Sequence, residues 1–127
     1  MIDALFNQPS YVATKKMLDA TALRHEAIAS NLANLETPNY RRIDLAPSFS
    51  SELQGAVAAQ NAGKISGLQP SLAIDPSAVA SGQDGNTVQL ESELMQLSQN
   101  TLAHTLETQL VTGELVRLRM AITGRSS

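Results

Sequence analysis

"VQLESELMQLSQNTLAHTLETQLVTGELVRLRMAI", residues 88–122, decides the fold. Steps of three and four residues run through Leu90, Leu94, Leu97, Thr101, His104, Thr108, Val111, Leu115, Leu118 and Ile122. That spacing matches the turn of an α-helix and predicts one long helix, apolar at its ends and polar in its middle. A second stripe, Met95, Leu102, Leu106 and Leu110, lies beside the first. One helix with two apolar faces needs more than one partner. Glu91 and Glu93 near the start, and Arg117 and Arg119 near the end, complement the helix dipole. Gly113 interrupts the interior at a cost of up to about 1 kcal/mol against alanine. It weakens the helix there or lets another backbone come close.

Residues 9–35 repeat the pattern. Tyr11, Thr14, Leu18, Thr21, His25, Ile28, Leu32 and Leu35 form a heptad-like face, widened by Ala22 and Ala29. Pro9 suits a first helical turn, where its missing N–H is not needed. The helix is expected to stop inside "NLANLETPNYRR", residues 31–42. Asn31 and Asn34 compete with the backbone for hydrogen bonds. Pro38 presets φ for a turn, and Asn39 is one of the few residues besides glycine that tolerate φ > 0. Such a turn is expected to throw Tyr40, Arg41 and Arg42 away from the helix axis. Tyrosine and arginine are the types most used as interface anchors.

Between the helices, residues 46–86 are rich in Ala, Ser, Gly, Gln and Pro and hold few large apolar residues. They read as an irregular, poorly packed connector, with "KISGLQPSLAI" as the one place for a short extended pair. The predicted fold is all-α: an antiparallel pair of long N- and C-terminal helices, coiled-coil-like, joined by a long irregular connector with room for a little β-structure. The expected divisions are 1–45, a helix with its turn; 46–86, the connector; and 87–127, the second helix. Together they make one domain. Two helices alone bury little surface, so the unused stripe implies neighbouring chains.

The chain has 127 residues, a net charge of −3 and 3 % aromatic residues, with no tryptophan. A core must therefore come from Ala, Leu, Val, Ile and Met, which favours helix on helix. No basic stripe is present to neutralise phosphates, so nucleic acid is excluded as a partner. There is no cysteine, which rules out disulfides and thiolate zinc sites. The N-terminus shows no basic and apolar pattern of a cleavable signal, and no window has the length of a membrane span. His25-Glu26 begins a zinc-protease motif, but the second histidine it requires is Ala29. His25 and His104 read as interfacial histidines, with no converging carboxylates to complete a metal site. No serine lies in a nucleophile elbow, and "SGQDGN", residues 81–86, lacks the lysine and strand of a phosphate loop. It reads as a turn, with Thr87, Asn86 or Gln89 able to cap the helix that follows and Asn86 the best N-cap former of the three. No enzyme, cofactor, metal or small-molecule substrate is expected.

"IASNLANLETPNYRR" resembles the N-terminal signature of bacterial flagellar rod, hook and hook-associated proteins. In that family a helix ends in Ala-Asn-x-x-Thr-Pro-Gly-Tyr and a basic residue. Ala33, Asn34, Thr37, Pro38, Tyr40 and Arg41 match, and Asn39 stands at the glycine. Asp84, Gly85, Asn86 and Val88, with Leu118, Arg119, Ala121 and Ile122, resemble the C-terminal helix of a short proximal rod subunit. Gln89 stands where an aspartate is common. The large inserted domain of hook and distal rod relatives is missing.

The resemblance implies a structural subunit of the basal body, exported without a cleavable signal by the flagellar type III gate. Its terminal helices would stack into a helical tube, the drive shaft that carries torque across the periplasm. Implied partners are other proximal rod proteins, the adaptor at the rod base, the export gate and the membrane-anchored MS ring. The apolar segment 2–6 is a candidate for gate recognition. The expected subunit-interface residues are Asn31, Asn34, Thr37, Pro38, Asn39, Tyr40, Arg41, Leu94, Leu97, Leu102, Leu106, Leu115, Leu118 and Ile122. The rival readings are the other short proximal rod protein of this family and a helical-hairpin adaptor unrelated to flagella. The adaptor leaves "ANLETPNYRR" unexplained.

Overall fold

The computed structural model describes residues 8–124, and segment 2–6 lies outside them. The chain is mostly helical, with one small sheet. Helix α1 spans Pro9–Ala33, with the proline at its first position. The C-cap is Asn34, whose N–H reaches back to Ser30 and Asn31 carbonyls. Strand β1 (Ile43–Leu45) follows, then α2 (Ser48–Ala58), α3 (Ala62–Gly67), β2 (Leu72–Ile74) and α4 (Leu90–Thr123). At 34 residues, α4 is roughly 50 Å long. It ends at Gly124, whose φ of 68° is the left-handed C-cap conformation.

The stretch 46–86, expected to be irregular, carries two helices and a strand. The reason lies in "FSSELQGA". Phe49, Leu53 and Ala56 recur at steps of four and three, and all three are buried. They pack with Ile65 of α3 against Ala13 and Ala20, one heptad apart on α1. Small residues on α1 let two short helices approach closely. Burying side chains such as Phe49, Leu53 and Ile65 contributes about 1.5–3 kcal/mol each. The extended pair is also placed differently from expectation. Lys64–Gly67 is helical, and β2 pairs antiparallel with β1, with Ile43 opposite Ile74 and Leu45 opposite Leu72.

The face that α4 turns inward is the main departure from the sequence reading. Its buried residues are Glu93, Asn100, Glu107 and Leu118. The first three are polar and sit seven residues apart. Asn31 Nδ2 donates to Glu93 Oε2 at 3.3 Å, and Asn100 Nδ2 donates to the Thr21 carbonyl at 2.8 Å. Thr21 Oγ1 also lies 2.9 Å from Glu107 Oε2 and 3.0 Å from His104 Nδ1. Leu94, Leu115 and Ile122, on the first apolar stripe of the sequence, are exposed; Leu97 is half-buried. The periodicity argument assumed that the most apolar face turns inward. Here complementary polar groups on α1 and α4 satisfy one another, so the polar face is the one that fits. Polar residues at such positions set the register of a helix pair at some cost in stability.

Candidate subunit-interface site at the paired turns

Two turns meet where α1 ends and α4 begins. Asn39 has φ of 60°, as its place in the turn required, and its N–H donates to the Asp84 carbonyl at 2.8 Å. Thr87 N–H donates to the Tyr40 carbonyl at 3.0 Å, and Arg42 N–H to Thr87 Oγ1 at 2.8 Å. "TPNYR" and "DGNT" are thus laced together backbone to backbone. Gly85 is essential to this approach: its φ is 77°, and a Cβ there would lie 2.4 Å from Asn39 Oδ1.

Asn86 is not an N-cap. The N-cap of α4 is Gln89, which makes no side-chain cap bond. Instead Asn86 Nδ2 faces the carbonyls of Asn34, Leu35 and Thr37 at 2.8, 3.1 and 2.7 Å, and its Oδ1 accepts from Val88 N–H at 2.7 Å. It therefore braces the turn that follows α1, adding a donor to the Asn34 and Thr37 carbonyls, which already accept from Thr37 and Tyr40 N–H, and supplying one to Leu35.

Asn31 likewise looks inward. Its side chain imitates a strand partner for Ile43, donating to the Ile43 carbonyl at 2.8 Å and accepting from its N–H at 3.0 Å. Asn31 is fully buried, so as an anchor for another subunit it is corrected to an internal brace. Tyr40, half-buried, is not thrown clear of the helix. It folds back on α1, with its hydroxyl 3.0 Å from Ser30 Oγ and 3.3 Å from Asn31 Oδ1. Tyr40→Phe is therefore expected to destabilise the free chain by about 1 kcal/mol, read from urea melts, whatever its effect on assembly.

Arg42, expected to point outward, is 5 % exposed. Its Nε donates to the wholly buried carboxylate of Glu93. One terminal nitrogen reaches Asp75 Oδ2 at 2.6 Å; the other reaches Asp44 Oδ2 at 3.1 Å and Gln96 Oε1 at 2.6 Å. Arg24 of α1 joins through Asp44 at 2.9 Å and Gln96 at 2.7 Å. One guanidinium thus ties β1, the end of β2 and α4 together, and Arg24 adds α1. Burial opposes the charge on Arg42, but bonding to Glu93 and the nearness of Asp44 outweigh it, and its pKa is raised. Asp75 is held below the usual carboxylate range, first by the Ser77 hydroxyl and also by Arg42, against the opposing effect of burial.

Among the predicted interface residues, Thr37, Pro38, Asn39 and Arg41 are exposed and Asn34 is half-buried. Leu94, Leu102, Leu106, Leu115 and Ile122 are exposed, whereas Leu118 is buried within the chain. Sequence reasoning missed Glu93, Asn100 and Glu107 as the inner face. The available signal was their seven-residue spacing. His25 and His104 share a cavity of about 490 Å³ with Thr21 and Glu26. Among the described residues, no group of three or more metal-binding side chains converges, and no helix is long and apolar enough to cross a membrane.

Two predictions arise here. Gly85→Ala is expected to cost about 1–2 kcal/mol for the left-handed backbone, plus the collision with Asn39. Adding Asn39→Gly removes that collision. A double-mutant cycle by urea denaturation should show favourable coupling; strict additivity would refute the contact. The second concerns Glu107, whose pKa is raised by burial, with the Thr21 bond and His104 pulling the other way. The folded state holds that proton more tightly than the unfolded chain. The stabilising contribution is fully present below the ordinary value of 4.5 and is lost as pH rises through the raised one. Glu107→Gln keeps an acceptor for Thr21, so it should gain stability relative to the parent between about pH 4 and pH 7. A constant difference across that range would refute the reading.

Similar sequences place a chain with these paired turns and two long helices among the flagellar basal-body rod proteins. The chain is 31 % identical over 117 residues to the flagellar basal body rod protein FlgB of Aquifex aeolicus, covering 88 % of this chain and 91 % of that one. FlgB of Cereibacter sphaeroides is 30 % identical over 109 residues, covering 80 % and 84 %. FlgB of Borrelia hermsii is 29 % identical over 113 residues, covering 75 % and 82 %. No family model matches the chain. The chain belongs to the FlgB family of flagellar basal body rod proteins.

Proposed function

We propose that this chain is a non-enzymatic structural subunit of the proximal rod, self-assembling through its terminal helices into the drive shaft that carries torque across the periplasm. The observation that carries this reading, beside family membership, is the surface of α4. Leu94, Met95, Leu102, Leu106, Leu110, Leu115 and Ile122 are all exposed on one helix. A monomer gains nothing from such a surface, whereas a polymer buries it. The two long helices are read as an antiparallel pair forming one rod-subunit domain with the segment between them. The bonds Asn31–Glu93 and Thr21–Glu107 support that order. Asn34, Thr37, Pro38, Asn39 and Arg41, with the exposed leucines, supply contacts to neighbours. Those neighbours are other proximal rod proteins, the rod-base adaptor, the MS ring and, during export without a cleavable signal, the type III gate.

The test is complementation in a flagellated strain lacking its own copy of this gene. The tagged chain should restore motility and co-purify with isolated basal bodies at the rod. Motility without incorporation, or soluble chain with no basal-body pool, would refute the proposal.

A further inference from the structure

Among the described residues, two apolar surfaces are left uncovered, and they differ in shape. One is a groove of about 560 Å³ between α1 and α2, with Phe49 and Leu53 at its base and Met17 and Val57 on its rim. Met17 and Val57 are exposed large apolar residues. The other is a ridge on α4: Leu102, Leu106 and Leu110 are 62 %, 52 % and 61 % exposed. Their four-residue spacing aligns them on one side of the helix. At about 100° per residue, Leu106 lies about 100° round the helix from Glu107 and about 120° from Asn100, which pack on α1, so the ridge flanks the packed face.

Charge matches the two surfaces. From Leu94 to Gly113, α4 carries one ionisable acid, Glu107, and no lysine or arginine. Glu107 is buried and bonded to Thr21 of its own chain. Beside the leucines the ridge side presents Met95, Gln99, Ala103, Gln109 and Gly113, all uncharged. Among the described residues, Glu107 is also the only charged residue lining the groove. Neither surface asks for a counter-ion, so neither suits a charged partner. Gly113 lies on the ridge side, one heptad after Leu106, and a Cβ there would meet nothing within 4 Å. Nothing inside the chain requires a glycine at that point. It leaves room for another backbone to approach the ridge.

We propose that the leucine ridge of one copy, centred on Leu106, docks as a helix in the groove between α1 and α2 of a second copy. This contact rests on the rod reading above and specifies its geometry. Each copy carries both ridge and groove, so the contact is head-to-tail. Such a contact repeats into a ring or an open helical array rather than closing as a two-fold dimer. An apolar helix face laid in a groove is read through anchors at this spacing.

The test uses the absence of cysteine, which makes every engineered link assignable. Val57→Cys is placed in a chain with a size tag, and Leu102→Cys, Leu106→Cys and Leu110→Cys singly in untagged chains. Each pair is oxidised as purified full chains and after co-expression in the strain lacking its own copy. The expected result is a link between the tagged and untagged chains, strongest with Leu106→Cys. It should weaken at least about tenfold when Leu110→Asp is added to the Leu106→Cys chain. Ser81→Cys in place of Val57→Cys should give no link. Links only between two untagged chains would mean that ridge meets ridge and would overturn the proposal. So would a link from Val57→Cys to a protein of another mass. Incorporation into basal bodies with no tagged-to-untagged link overturns this contact alone and leaves the rod reading standing. Absence from basal bodies refutes the rod reading, and the purified mixture then decides the contact by itself.

Discussion

Arg42→Ala is expected to destabilise the chain by about 3–5 kcal/mol, the cost of breaking a buried ion pair from one side. The effect is concentrated on one partner. Asp44 keeps Arg24, at 2.9 Å, and Asp75 keeps the Ser77 hydroxyl, at 2.6 Å. Glu93 is wholly buried and would retain only Asn31. A domain of this kind is stable by about 5–15 kcal/mol in total, so the loss is a large fraction of what holds it. Arg42→Lys should recover little, because an ammonium cannot reach Glu93, Asp75, Asp44 and Gln96 from one planar fork. Arg42→Met together with Glu93→Leu should recover much more, since removing both buried charges is far less costly than stranding one. Urea denaturation of the three variants gives the comparison. If Arg42→Ala and the double variant lose the same stability, the buried carboxylate is not the source of the cost.

That prediction was not available from the sequence, although Arg42 was in view from the start. The residue type was read as an outward anchor because it follows a turn and because arginine is common at interfaces. Its direction depends on where Asp75 and Glu93 lie, 33 and 51 positions further on, and spacing along a chain does not carry that. The long helices were legible because their periodicity persists over many turns, and α1 starts at the proline that marked it. The left-handed φ at Asn39 was legible because local sterics alone decide it. Helices α2 and α3 were missed among Ser, Gly and Ala. Their signal is three residues of α2 and one of α3, and their partner surface on α1 is alanine rather than leucine. The rotation of α4 was missed for a related reason. Hydrophobic periodicity locates the most apolar face of a helix, whereas the inward face is the one whose partners are present. In a free subunit those partners are Thr21 and Asn31. The leucines stay exposed.

Asn86→Asp carries the other large expected effect, and its sign depends on pH. The two residues have nearly the same shape. The amide donates toward three carbonyl oxygens that no helical N–H reaches, from a site that is 3 % exposed. A carboxylate there faces the same oxygens with no proton to give and a charge of the wrong sign. Only Val88 N–H would favour it, at the position where Asn86 Oδ1 now accepts. Asn86→Ala removes these bonds, leaving Asn34 and Thr37 carbonyls with the Thr37 and Tyr40 N–H groups and Leu35 without the amide, and should cost about 1–3 kcal/mol at every pH. Asn86→Asp should cost about 3 kcal/mol or more at neutral pH, because repulsion adds to the lost bonds. Burial and the facing oxygens raise the folded-state pKa of the introduced carboxyl above its unfolded value of about 3.9. Stability is then fully present below about pH 3.9 and is lost as pH rises through the raised value. The protonated acid can donate one hydrogen bond to the end of α1, so at acid pH Asn86→Asp should be more stable than Asn86→Ala, and at neutral pH less stable. Urea midpoints of the two variants, measured across that range, should cross. Curves that stay parallel would mean that the end of α1 is closed by water and not by this side chain.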